Sequence, residues 1–494
     1  MIGQLPALQV VVPLLAAPAC LLVPRPRWAW ALALAATWAA LATAGALAYR
    51  VLSLGPVSYA MGGWPAPWGI EYRIDTLNAM VLLVVTGIGA VTMVFARASV
   101  EREVPAGRIP LFYVAYLLCL TGLLGIVATG DAFNLFVFLE ISSLSSYVLI
   151  AQGARKQALM ASLRYLIMGT IGATFILIGV GFLYMMTGTL NYADLAARLG
   201  AVEDTRTVRA ALAFLTVGIS LKLALFPLHL WLPGAYTHAP SVVSAFLAAT
   251  ATKVGLYMLV RMLFTVFGAD FAFGTVPLDA ILPALALAAV FTASTVAIFQ
   301  EDLKAMLAYS SVAQIGYMVL GVGLATTAGV TAGLTHLFNH ALMKGALFLA
   351  VGALVYRLGT TRIDELGGLA QRMPWTFAAL VVAGASLIGL PPTAGFISKW
   401  YLVAAMLEQG WWPLALLILL GSLLALIYVG RVVEAAYFRA PPVGAVAGRA
   451  EAPLGLVVPT LVLAGANLYF GLDTRLSLGM AAEAAHSLLG GGAG

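Results

Sequence analysis

Long apolar runs alternate with short polar stretches along the whole chain. Fourteen of these runs approach or exceed the roughly 20 residues that a bilayer-spanning helix needs. They fall at 5–23, 28–50, 75–96, 110–129, 131–152, 161–187, 208–231, 240–267, 276–299, 303–323, 328–356, 375–405, 411–437 and 453–471. The longest polar stretches, around 51–74, 188–207 and 357–374, leave no room for a soluble domain. Gly130-Asp131 is only a tight connection between the fourth and fifth runs. In lipid a helix satisfies its own backbone groups, so the pattern predicts an all-α polytopic membrane protein with about fourteen transmembrane helices. The first run has no basic residue before it and reads as a retained helix rather than a cleaved signal. The closing GGGAG is expected to be disordered.

Composition sharpens this reading. The 494 residues are 62% hydrophobic and only 9% charged, against about 25% charged in soluble proteins. The net charge of +6 comes mainly from loop arginines and includes no basic run long enough to follow a phosphate backbone, so nucleic acid is not an expected partner. Cys20 and Cys119 lie in apolar runs with no metal-ligand spacing. With fourteen spans, the loops facing away from the termini hold fifteen basic residues and those on the termini's side hold seven. The positive-inside rule then places both termini outside the cytoplasm. The chain has no GxGxxG after a strand, no P-loop, no CxxC pair and no haem attachment motif. No cofactor is expected, and any redox energy has to come from another subunit.

Two spans are interrupted, and they carry charge. In GISLKLALFPLHLWLPGAYTHAP (218–240), Pro227 and Pro233 are expected to break the seventh span, and Pro240 restarts the chain. In GLPPTAGFISKW (389–400), Pro391 and Pro392 with Gly389 and Gly395 break the twelfth. A broken membrane helix persists only where protein or water satisfies the freed carbonyls. Lys222 stands just before the first break and Lys399 just after the second. The two broken spans are five apart, which suggests two five-helix repeats, spans four to eight and nine to thirteen, in inverted orientation. The chain then divides into 1–107, 108–270, 271–440 and 441–494.

Of only six lysines, four fall well inside spans: Lys222, Lys253, Lys344 and Lys399. The twenty arginines sit almost entirely at span ends and in loops. If buried positive charge served only to hold helices together, arginine would do at least as well, because its fork makes more hydrogen bonds. A desolvated lysine differs in being able to release and recapture a proton near neutral pH. The choice of lysine therefore favours proton handling.

Glu140 is the only carboxylate well inside a span. It reads either as a carboxylate bonded by Ser142, Ser143 or Ser145, or as the partner of a lysine, with Lys222 the choice. Separating such a pair releases the lysine proton, which makes the pair a two-state switch. His336, His340 and Lys344 are spaced i, i+4, i+8, with Asn339 between them, and share one helix face over roughly 12 Å. They read as a ladder for protons through water; packing and metal binding are the alternatives, and the glutamate of the HExxH zinc motif is missing. Lys253, beside Thr250 and Thr252, lies between the Lys222 region and the histidine helix in chain order and reads as a bridge between the two halves. Arg261 and Glu408 lie near span ends and read as snorkelling or interface residues. Arg431 and Glu434 form a candidate i, i+3 pair. Glu301 and Asp302 suit the N-terminus of the tenth span, leaving Lys304 as a minor candidate.

These stretches together resemble the antiporter-like membrane subunits, the family shared by the large subunits of Mrp (Mnh) cation/proton antiporters and the proton-pumping subunits of respiratory complex I and its hydrogenase relatives. The resemblance covers about 72–440 and rests on Glu140, LKLALFPLHLWLPGAYTHAP, Lys253, THLFNHALMKGALFL and GLPPTAGFISKW. It implies a fourteen-helix fold with inverted repeats at helices four to eight and nine to thirteen. It also implies that Glu140 and Lys222 are the coupling pair, that Lys253, His336, His340 and Lys344 line a central hydrophilic axis, and that Lys399 is the terminal proton site. Within the family, LNYADLAARL and EISSLSSYVLIAQGARKQALMASLRYLIMGT most resemble the D-type subunit of the Mrp (Mnh) antiporters. The implied function is proton translocation in a multisubunit Na+/H+ antiporter of the plasma membrane, among other antiporter subunits. The alternative is a pumping subunit of an NADH:quinone oxidoreductase or a membrane-bound hydrogenase.

Overall fold

A computed structural model describes residues 2–23, 25–441 and 450–490. The last four residues of the chain, on which most of the expected disordered tail falls, lie outside them. Among the described residues, twenty α-helices follow one another. The first six are α1 (Leu5–Leu22), α2 (Pro26–Leu54), α3 (Thr76–Glu103), α4 (Ile109–Ala128), α5 (Ala132–Ala151) and α6 (Lys156–Thr187). Then come α7 (Tyr192–Leu199), α8 (Arg206–Leu223), α9 (Trp231–His238), α10 (Ser241–Val260), α11 (Ala269–Thr275), α12 (Leu278–Ile298) and α13 (Leu303–Gly323). The last seven are α14 (Thr327–Leu358), α15 (Leu369–Arg372), α16 (Pro374–Ile388), α17 (Ala394–Glu408), α18 (Trp412–Phe438), α19 (Leu454–Leu472) and α20 (Arg475–Leu489). Among the described residues, twelve helical segments are long and apolar enough to cross a membrane. The expected span at 375–405 is a pair of shorter helices, α16 with α17, and that at 208–231 is α8, which stops at Leu223, with α9 beginning only at Trp231 and running on to His238. The chain is a multi-pass membrane protein.

Helices α10, α13 and α14 lie at the centre, buried on nearly all sides, and α3 packs beside them. Peripheral α18 instead exposes Leu416, Leu419, Leu423 and Leu426 at three- and four-residue spacing, a stripe suited to lipid. Small residues set the closest approaches, as expected where lipid removes the hydrophobic drive between helices. A Cβ on Gly125 of α4 would lie 2.2 Å from the Phe138 ring of α5. That contact holds α5 tightly against α4.

Both breaks have local causes. Helix α8 ends at Leu223, and Ala224 follows with φ 61. This is the left-handed region, which costs an L-residue roughly 1–2 kcal/mol. Pro227 lies in the irregular stretch that follows. Pro233 does not break the chain as expected: it is the third residue of α9, where a helix needs no amide hydrogen for its own ladder. Helix α16 ends at Gly389, φ 94, and Pro391 and Pro392 occupy the gap before α17.

Three features depart from the sequence expectation. Residues 57–74 hold a hairpin of β1 (Val57–Ala60) and β2 (Glu71–Ile74), pairing Val57 with Ile74 and Ala60 with Glu71. Helix α20 buries Ser477, Met480, Ala481, Ala484 and Ala485, the i, i+3, i+4, i+7, i+8 stripe of an amphipathic helix. At 15 residues, with Arg475, Glu483 and His486 along it, the helix falls short of the apolar run that marks a span. Arg431 does not pair with Glu434: it donates to the Gln300 carbonyl at 3.3 Å, while Glu434 pairs with Arg439 at 2.6 Å, a partner presented just past the end of α18.

Candidate functional site

Lys222 sits in the last turn of α8, where a cation complements the carbonyl end of the helix. Its Nζ donates to Ser143 Oγ of α5 at 2.6 Å. Glu140 lies one turn before Ser143 on α5 and acts electrostatically on Lys222, but the two form no direct ion pair. Glu140 Oε1 is buried with no protein partner. The structure therefore gives Lys222 a serine hydroxyl as its hydrogen-bond partner and leaves the Glu140 carboxylate within electrostatic range. The break beyond Lys222 is braced by aromatic rings. Trp231 Nε1 donates to the Leu221 carbonyl at 2.9 Å, and its ring stacks on Tyr165 at 3.8 Å. Tyr165 in turn meets Tyr147 edge-on at 4.7 Å. A Cβ on Gly169 would lie 2.0 Å from the Tyr147 hydroxyl and 3.3 Å from Lys222 Nζ. Gly169→Ala is therefore expected to push both groups aside and to cost roughly 1–3 kcal/mol as an overpacking change, read as a lowered thermal stability of the purified protein.

Lys253, on α10, has no exposure to solvent. It donates to the Ala248 carbonyl of its own helix and to Thr252 Oγ1 at 3.3 Å. Two residues on, Gly255 abuts α8: a Cβ there would lie 3.0 Å from Leu223 Cα. The two helices on either side of the first break thus meet beside their lysines.

On α14, His336, His340 and Lys344 share one face as the spacing predicts, and the two imidazoles stack at 5.9 Å and 4°. His336 is held between Ser398 Oγ of α17 at 2.8 Å and Gln314 Oε1 of α13 at 2.9 Å. His340 has both ring nitrogens buried with no protein partner. Lys253, Lys344, His336 and Lys399 all lie within electrostatic range of it. Lys344 donates to the Leu307 carbonyl at 2.7 Å and to Ser310 Oγ at 2.5 Å, both on α13. Asn339 donates to the Ala394 carbonyl at 2.7 Å, tying α14 to the start of α17. Among the described residues no cluster could hold a metal ion.

Lys399 closes the line. Its Nζ donates to the Leu387 and Ile388 carbonyls at 3.0 and 2.9 Å, the free carbonyl end of α16. It also reaches Ser422 of α18 at 3.0 Å and lies 4.6 Å over the Tyr317 ring. The second break therefore supplies the lysine's acceptors directly.

Sequence reasoning left Ser310, Gln314 and Tyr317 of α13 unassigned, yet they hold Lys344, His336 and Lys399. Their signal was present: three polar residues at i, i+4, i+7 inside an apolar span. Lys304, on the same helix, is buried and donates to the Ala239 carbonyl at 3.0 Å. Arg261 is not a snorkelling residue; it is buried and paired with Asp75. Every ion pair among the described residues uses arginine. The buried lysines bond only to carbonyls and hydroxyls. Such neutral acceptors let an amine hold or give up its proton without stranding a partner's charge.

The chain as a whole is similar to known membrane proteins. The NADH:quinone oxidoreductase/Mrp antiporter transmembrane family matches residues 129–425. The NADH-quinone oxidoreductase subunit N of Desulforudis audaxviator is 44% identical, with 96% of each chain aligned. The D-type subunit of the Na(+)/H(+) antiporter of Alkalihalophilus pseudofirmus is 35% identical over 76% of this chain and 75% of its own. In solved structures, a chain of the Mrp complex from Dietzia superposes with a TM-score of 0.90 at 28% identity, over 99% of this chain and 97% of that one. The family match spans both breaks and all four deep lysines, and this chain belongs to the NADH:quinone oxidoreductase/Mrp antiporter transmembrane family.

Proposed function

We propose that this chain is a proton-translocating subunit of a multisubunit Na+/H+ antiporter in the plasma membrane. Protons move along Glu140, Lys222, Lys253, Lys344, His340, His336 and Lys399, with the breaks at Pro227 and at Pro391-Pro392 supplying the free backbone at either end. The observation that carries this reading is the set of four deep lysines bonded to hydroxyls and carbonyls rather than carboxylates. Fourteen crossings, with the two broken pairs counted as one each, put both termini on the non-cytoplasmic side by the basic-residue count. Residues 108–270 and 271–440 then form the inverted repeats, flanked by 1–107 and 441–494. Likeness to a chain of the Mrp complex supports partner subunits.

The second reading, a pumping subunit of a redox-driven complex, is favoured by the 44% identity to a relative named NADH-quinone oxidoreductase subunit N. The side chains act alike in both readings; only the energy source differs. Purifying the tagged complex from its native membrane in mild detergent and identifying its subunits by mass spectrometry separates the two. Small cofactor-free membrane proteins beside one larger homologue are expected. Flavin or iron–sulfur proteins in stoichiometric amount would replace the antiporter reading with the redox one.

The switch is tested at Glu140. Glu140→Gln keeps the volume and removes the charge. It is expected to leave assembly intact and cut proton flux to less than about a tenth, because losing one charge–charge interaction of more than about 1.4 kcal/mol has that effect. Flux in reconstituted vesicles at wild-type level would remove Glu140 from the mechanism.

A further inference from the structure

The polar face of α10 does not end at Lys253. Tyr257 and Arg261 follow at i+4 and i+8, over a rise of about 12 Å, and both are buried. Arg261 opens a π-helical turn, Arg261–Val266, a distortion that recurs at functional sites. Its Nη2 donates to Asp75 Oδ1 and, at 2.6 Å, to Asn78 Oδ1. Its Nε donates to the Tyr257 hydroxyl and its Nη1 to Thr265 Oγ1, both at 3.3 Å. The Tyr257 hydroxyl donates to the Val127 carbonyl at 3.1 Å and accepts from Asn78 Nδ2 at 2.9 Å. Asp75 caps α3, accepting from the Leu77 and Asn78 amides at 2.9 and 3.1 Å. Its side chain is 19% exposed against 7% for Arg261, so the network leads inward from the surface along the face that carries Lys253. Helix α20 packs at the same end, where Thr76 donates to Glu483 at 3.0 Å.

Two properties decide what this network does. A guanidinium stays protonated at any pH a protein meets and offers no acceptor, so it passes no proton. Its fixed positive charge also repels protons in a narrow polar path, as arginines do in water channels. If the pair served only to join α3 to α10, well-packed apolar side chains would do as well, because burying two charges costs about what their attraction returns. We propose that Arg261, held in place by Asp75, is an electrostatic plug. It closes the α10 face beyond Lys253, so that a proton on Lys253 leaves only sideways, along α14 toward Lys399. No bond other than the transferred N–H is made or broken. The inference rests on reading Lys253 as a proton carrier.

The test is passive proton leak in vesicles containing the purified complex, under an imposed pH gradient, with neither transported cation nor electron donor present. Asp75→Asn with Arg261→Gln removes both charges together and keeps a competent cap, since asparagine caps helices as well as aspartate. Arg261→Lys keeps the charge and the ion pair but substitutes a group that can release its proton. Each is expected to raise the leak about tenfold, a modest share of the barrier that a buried charge presents. Adding Lys253→Met to either is expected to return the leak to the wild-type level. An unchanged leak in Arg261→Lys, or a leak that persists with Lys253→Met, overturns the plug. Because the leak needs no driven transport, it is scored separately from the proposed function, which fails if the wild-type complex moves no protons with either cation or electron donor.

Discussion

Lys222→Arg is expected to stop proton movement as fully as Lys222→Met, to less than about a tenth of wild-type flux, a rise of more than about 1.4 kcal/mol in the barrier. The two variants differ in one physical respect. Methionine removes the charge and leaves a chain of similar length. Arginine keeps the charge and adds donors, but cannot release a proton. Lys222 Nζ reaches Ser143 Oγ at 2.6 Å, and the unpaired Glu140 carboxylate oxygen lies one turn from that serine on α5. A guanidinium satisfies both groups at least as well as an ammonium does. If the residue were a fixed structural charge, the arginine variant would therefore be nearly normal and only methionine would fail. Quenching of a pH-sensitive dye in vesicles, normalised to complex content, reads the difference. Near wild-type flux in Lys222→Arg would make this lysine a tether rather than a carrier. The same comparison at Lys399, whose acceptors are the end carbonyls of α16, is expected to give the same result.

Gly395→Ala is expected to be the most damaging addition of a single methyl group at any described glycine. The added Cβ would sit 1.7 Å from the Ser386 carbonyl oxygen. That neighbour is backbone in the last turn of α16 and cannot swing away as a side chain would. The first turn of α17 has to separate from α16, which puts the cost at or above the roughly 1–3 kcal/mol typical of overpacking. Function suffers beyond stability. Lys399 reaches from α17 to Leu387 and Ile388 of α16, and Asn339 reaches Ala394 beside the glycine. Separating the two helices withdraws the acceptors of the terminal lysine. The level of assembled complex is expected to fall, and the complex that remains to transport protons severalfold more slowly. Full transport with unchanged thermal stability would mean that the two half-helices are less tightly apposed than the geometry describes.

Much of this molecule was legible before any fold was known. Its spans follow from apolar runs against bilayer thickness, and most observed helices begin and end within a few residues of those runs. The breaks at Pro227 and Pro391-Pro392 follow from covalent geometry, since proline has no amide hydrogen to give. Pro233 shows the limit of that rule. The same ring is harmless in a first turn, and only the position of the helix start decides which case applies. The choice of lysine over arginine at four deep positions is a matter of residue type alone, and the structure finds all four buried.

What each lysine touches was another matter. Glu140 and Lys222 lie 82 residues apart, and whether the lysine bonds to that carboxylate or to Ser143 depends on how far α8 is turned against α5, which packing sets. Ser310, Gln314 and Tyr317 gained their roles only when α13 was placed between α14 and α18. Arg261 read as a snorkelling or interface residue because its partner Asp75 lies 186 residues earlier, at the start of α3. The sequence by itself determined the solvent, the spans, the breaks and the type of charge, because each follows from one residue or one run of residues. The tertiary structure alone decided which hydroxyl, carbonyl or carboxylate meets each buried cation. Hydrogen bonds act over about 3 Å, and no local pattern sets distances that short between helices far apart in the chain.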